Sequence, residues 1–69
     1  MRLTFLGKTG GSNEGGCPAL YLTDRGTYVV QGVKVEDAQA LADVRDLAPD
    51  ETLVEIPADV LLLHREAQP

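Results

Sequence analysis

An α+β fold is predicted: a small three- to four-stranded antiparallel sheet carrying two short helices. Three observations lead there. Ala19–Thr23 and Thr27–Gln31 alternate in polarity on either side of Asp24-Arg25-Gly26, which predicts a hairpin over 19–31. Ala38, Leu41, Val44 and Ala48 recur at helical spacing behind Asp37. Pro57 then opens a last apolar stretch, Val60-Leu61-Leu62-Leu63.

The elements follow in chain order. Arg2–Leu6 predicts a short strand with Leu3 and Phe5 on one face. Residues 7–16 are a glycine-rich loop. In the hairpin, Leu20 and Leu22 oppose Tyr21, and Tyr28 and Val30 oppose Val29. A three-residue connection ending in Gly suits a type I turn closed by a left-handed glycine. Tyr21 and Tyr28 are candidates for packing across the hairpin. Gly32-Val33-Lys34-Val35 continues the second strand or bends it, because glycine in a strand often marks a bulge. Asp37 caps a helix expected to run to about Asp46, and Pro49 stops it. Asp50-Glu51 form a turn, and Thr52–Ile56 is a third β-prone run. In the last helix, Asp59 complements the positive helix end. Four consecutive apolar residues cover roughly 300° of a helix. One sheet face cannot cover all of that surface. Some of it is expected to meet a second subunit or a partner, unless a sheet edge or the 37–46 helix buries it.

At 69 residues the chain is expected to form one domain, 1–69. A domain of this size buries only about 60% of the surface its unfolded chain exposes, and often depends on a disulfide, a metal or a second subunit. Cys17 is the only cysteine and His64 the only histidine, so neither an internal disulfide nor a four-ligand zinc site is available. No metal or other cofactor is expected. Oligomerisation or a partner remains. No apolar run exceeds the four residues of Val60–Leu63, far short of the roughly 20 that span a bilayer. The N-terminal apolar run is too short for a signal peptide. With one free thiol, these features predict a cytoplasmic protein without membrane contact.

The net charge of −5 is unevenly spread. Eight of the eleven acids fall between Glu36 and Asp59, against the single base Arg45. Such a segment is a solvated face or a surface that attracts a basic partner. Arg2, Lys8, Arg25, Lys34, Arg45 and Arg65 are scattered, which disfavours direct nucleic-acid binding.

Two motifs invite catalysis or nucleotide binding, and neither holds. Gly7-Lys8-Thr9 matches the end of the phosphate-loop pattern G-x-x-x-x-G-K-[ST], but Arg2 stands where the first glycine is required. The loop also leads into a strand and not a helix, so no helix N-terminus faces a phosphate. Cys17 as a nucleophile needs a base within hydrogen-bond reach, and His64 is the one candidate. Nothing in the sequence pairs them. The chain reads as non-enzymatic, with no catalytic residue; an enzyme using Cys17 is the outlying alternative.

Ser12-Asn13-Glu14-Gly15-Gly16-Cys17-Pro18, two short strands, and then Leu53-Val54-Glu55-Ile56-Pro57-Ala58-Asp59-Val60-Leu61-Leu62-Leu63 carry a resemblance. Over residues 10–63 the chain resembles the BldB-like domain of small actinobacterial proteins, or a sister group of it. Ser12, Asn13, Gly16 and Cys17 match the loop, and Leu53, Ile56, Pro57, Asp59, Val60 and Leu63 match the ending. The family carries aromatic residues where this chain has Val60 and Leu63, and the 37–46 helix reads as an insertion. The resemblance implies a regulatory protein that binds a helix-turn-helix transcription regulator and modulates its DNA binding. The residues expected to meet that partner are Asp43, Asp46 and Glu51, with Leu61 and Leu62 at the desolvated centre. The alternative is a self-associating structural homodimer domain that buries its leucine helix.

Overall fold

The computed structural model describes residues 1–9 and 18–67. The fold is α+β, as the sequence predicts. Strands β1 (Leu3–Lys8), β2 (Ala19–Thr23) and β3 (Tyr28–Gln31) form one antiparallel sheet in the order β1-β2-β3. Strands β4 (Val33–Lys34) and β5 (Val54–Glu55) form a second, two-stranded sheet, with helix α1 (Ala38–Ala42) between them in sequence. A 3-10 helix spans Ala58–Ala67.

The hairpin is built as its sequence dictates. Leu20 faces Val30 and Leu22 faces Tyr28, while Tyr21 faces Val29. Gly26 has φ +80°, the left-handed residue that a three-residue turn needs. Thr23 N–H donates to the Thr27 carbonyl at 2.8 Å, and Gly26 N–H to the Thr23 carbonyl at 3.3 Å. The Thr23 side chain completes the turn. Its Oγ1 accepts from Arg25 N–H and Thr27 N–H, each at 3.1 Å, and lies 2.7 Å from Thr27 Oγ1. This is how a polar side chain comes to be buried beside the core.

Four expectations are corrected. Tyr21 and Tyr28 do not pack together, because the register sets Tyr28 opposite Leu22, on the other face of the sheet. Tyr21 instead meets Phe5 edge to face, with ring centroids 5.7 Å apart and planes at 60°. Helix α1 stops at Ala42 and not near Asp46. Asp37 caps it as expected, accepting from Ala40 N–H at 2.8 Å. The last turn then tightens, Asp43 N–H reaching the Ala40 carbonyl and Val44 N–H the Leu41 carbonyl, and Asp46 at φ 58° leads the chain away. The β-prone run 52–56 does not extend the main sheet; only Val54–Glu55 pairs, and its partner is Val33–Lys34. Gly32 is the corner that separates the two sheets. A Cβ there would lie 2.6 Å from the Glu55 carbonyl oxygen and 2.6 Å from Ile56 Cγ2, so only glycine admits β5 this closely. The last helix, finally, has 3-10 and not α geometry.

That geometry sets the core. In a 3-10 helix residues three apart eclipse, so Val60 and Leu63 form one row. The helix packs on β1 and β2. Val60 is fully buried there with Leu20, and Leu63 lies over Gly7, where a Cβ would come within 3.0 Å of Leu63 Cδ2. Burying one such aliphatic side chain contributes about 1.5–3 kcal/mol. Gly7 and Leu20 share a row of the β1-β2 register, so the helix covers the face that carries Leu20, Leu22 and Val30. Leu3, Phe5, Tyr21 and Val29 lie on the opposite face, which the register also gives to the buried Ala19 and Thr23.

Candidate partner-binding surface

The eight acids of the 36–59 segment are all exposed. Asp43 sits at the C-cap of α1 and Asp46 in the left-handed residue beyond it. Glu51 has a local role besides its charge. It folds back on the Ala48–Glu51 turn, its Oε1 accepting from Ala48 N–H at 2.9 Å while its own N–H donates to the Ala48 carbonyl at 3.0 Å. Asp43, Asp46 and Glu51 therefore flank one stretch of backbone whose shape is fixed by a cap, a left-handed residue and a closed turn.

The apolar residues lie on another element. Leu61 is 59% exposed and Leu62 51%, on the two rows of the 3-10 helix that turn away from the sheet. Neither a sheet edge nor the 37–46 segment covers them. His64 caps the row below Leu61, its Nδ1 2.6 Å from the Leu61 carbonyl oxygen. His64 and Arg65 occupy the last turn of this helix, where positive charge is favoured. Helix α1 makes no more than marginal contact with any other described element, so Asp43 at its C-cap is held away from the leucine helix. The acids and the leucines present two surfaces, one charged and one apolar.

Gly7-Lys8-Thr9 does not open a helix. Gly7 and Lys8 are strand residues paired with Leu20 and Ala19, and Thr9 N–H donates to the Pro18 carbonyl at 3.1 Å. Ser12, Asn13, Gly16 and Cys17 lie outside the described residues. Among the described residues, no three His, Cys, Asp or Glu side chains converge to hold a metal ion, and no helix is long and apolar enough to cross a membrane.

Two further features were not singled out from the sequence. An open groove of about 330 Å³ is lined by Pro18, Val33, Glu55, Ile56 and Pro57. The second is the β1 edge of the sheet face opposite the helix, where Leu3 is 48% and Phe5 57% exposed. The alternation of Leu3, Phe5, Tyr21 and Val29 was readable as one face. That the 3-10 helix would cover the sheet's other side was not.

No protein-family model, no curated protein and no solved structure matches this chain.

Proposed function

We propose that this chain is a non-catalytic, cytoplasmic regulatory protein that binds a helix-turn-helix transcription regulator and modulates its DNA binding. The observation that carries the reading is the exposure of Leu61 and Leu62 on a helix whose third row is fully buried at Val60. Such half-exposed leucines leave apolar surface in water. Their exposure fits the desolvated centre of a contact, the part of an interface that supplies most of its energy. The exposed acids Asp43, Asp46 and Glu51, on a separate element, would draw in a basic DNA-binding domain. The resemblance of residues 10–63 to BldB-like proteins supports the same partner class.

The test is the occupancy of the regulator on its operator, followed by electrophoretic mobility with increasing amounts of this protein. A shift in occupancy that Leu61→Ser with Leu62→Ser abolishes is the expected result; unchanged occupancy at saturating protein contradicts the reading. A second reading, a structural homodimer buried through the same leucines, rests on the same exposure. It predicts that the leucine pair variant is monomeric while the native chain has twice the chain mass.

A further inference from the structure

We propose that the free edge of β1 docks an extended acidic segment of a partner protein, which adds to the sheet as a further strand. The proposal does not rest on regulator binding. That reading uses the 3-10 helix and the acids of the 36–59 segment, and recruits the opposite charge.

The backbone carries the argument. The order β1-β2-β3 leaves β1 at an edge of its sheet. Asp24 N–H donates to the Arg2 carbonyl at 3.1 Å, and the register sets Leu3 opposite Thr23, Thr4 opposite Leu22 and Phe5 opposite Tyr21. An antiparallel ladder bonds at alternate residues, so Arg2 and Thr4 bond to β2 while Leu3 and Phe5 turn their N–H and C=O groups outward. Among the described residues, nothing bonds to those outward groups. Such an edge is a template for another strand. The register stays regular from Leu3 to Phe5, and the bulge and Lys8, features that blunt an edge, come only beyond it. The Leu3 and Phe5 side chains are exposed beside the outward groups. An added strand therefore gains main-chain hydrogen bonds from the edge, and selectivity from the apolar side chains it meets at alternate positions.

Charge selects the occupant. Arg2 and Lys8 flank the edge, and residues 1–9 contain no acid, in a chain of net charge −5. Neither base makes an ion pair among the described residues, and Asp24, across the ladder from Arg2, lies on the β2 side. An acidic strand is drawn to this edge and repelled by the acidic 36–59 segment, which fixes where it docks. A second copy is the poorer occupant. Pairing β1 with β1 would gather two Arg2 and two Lys8 side chains in one ribbon, and like charges across a ladder are destabilising. The other edge, β3, carries no base, and Gly32 just beyond it lies against the Glu55 carbonyl, so β5 crowds that end.

The probe is a capped peptide of sequence EVTVTVE, long enough to lie along the edge from Arg2 to Lys8, titrated into isotope-labelled native chain and followed by NMR. Saturable amide shifts centred on Leu3, Thr4 and Phe5 are expected, with slower hydrogen exchange at Leu3 and Phe5. The same peptide N-methylated at its central valine, which stands opposite Phe5 and can no longer donate, should bind about tenfold more weakly. The lysine peptide KVTVTVK should also bind more weakly, as should EVTVTVE to the chain with Arg2→Gln and Lys8→Gln. The proposal is overturned by Leu3 and Phe5 amides that do not shift at millimolar peptide, by shifts centred on the 3-10 helix, or by equal affinity for the N-methylated or the lysine peptide. Shifts at Leu3 and Phe5 that follow chain concentration without peptide mark pairing between copies and overturn it as well. Regulator binding stands or falls separately, since Leu61→Ser with Leu62→Ser leaves this edge intact.

Discussion

Gly32 lies directly beneath the Glu55 carbonyl, so close that a single added carbon would sit 2.6 Å from that oxygen. This contact joins the three-stranded sheet to the β4-β5 ribbon. The obstructing atom is backbone and has no rotamer by which to move aside. Gly32→Ala should therefore destabilise the fold by about 1–3 kcal/mol, as overpacking does in close-packed sites. Urea unfolding measures it. A change below about 0.5 kcal/mol, the range of ordinary surface substitutions, would show that β5 does not approach as described.

Thr23 supplies the turn with more than its backbone. Thr23→Val keeps the shape and removes the oxygen that serves two amides and one hydroxyl. A loss of about 1–3 kcal/mol is expected, with faster amide exchange at Arg25 and Thr27. Unchanged exchange at both amides would contradict the network.

The three rows of the 3-10 helix should separate by mutation. Val60→Ala removes two buried carbons at about 0.8 kcal/mol each and leaves a cavity, for a total of about 2 kcal/mol. Leu62→Ala, one of the outward residues, should change stability by less than about 0.5 kcal/mol. Equal effects at the two positions would mean that the helix does not present Val60 to the sheet.

The acids should divide by role. Asp43→Lys with Asp46→Lys is expected to weaken regulator binding several-fold at low salt and less at high salt, because exposed charges are screened. Glu51→Gln keeps an oxygen for Ala48 N–H and isolates the charge, whereas Glu51→Lys also opens the turn. Glu51→Gln should leave the melting temperature unchanged and Glu51→Lys should lower it. Isothermal titration and thermal melts read the two effects apart.

Local chemistry made much of this fold legible. Asp24-Arg25-Gly26 named the hairpin turn and its left-handed glycine, and Asp37 named the cap of α1. What escaped was decided by tertiary contact. The apolar stripe from Ala38 to Ala48 reads as one helix, but Asp46 takes a left-handed conformation that no periodicity signals. Thr52–Ile56 reads as a strand without stating its partner, and the close fit at Gly32 diverts it from the main sheet. Four apolar residues in a row signalled a surplus of apolar surface. Only the 3-10 geometry says that Val60 is the one buried and that Leu61 and Leu62 are left outside. The exposure of Leu3 and Phe5 escaped for a related reason: alternation marks two faces of a strand, and burial chooses between them.

The central claim is that the outward leucines and the exposed acids of the 36–59 segment bind a basic helix-turn-helix regulator. The most direct measurement is affinity capture from the native host at low salt, using the native chain and the chain with Leu61→Ser and Leu62→Ser in parallel, with mass spectrometry of what each retains. The account predicts one basic helix-turn-helix protein on the native chain, released by high salt and absent from the variant. Recovery of no such protein, or equal recovery on both chains, would contradict it.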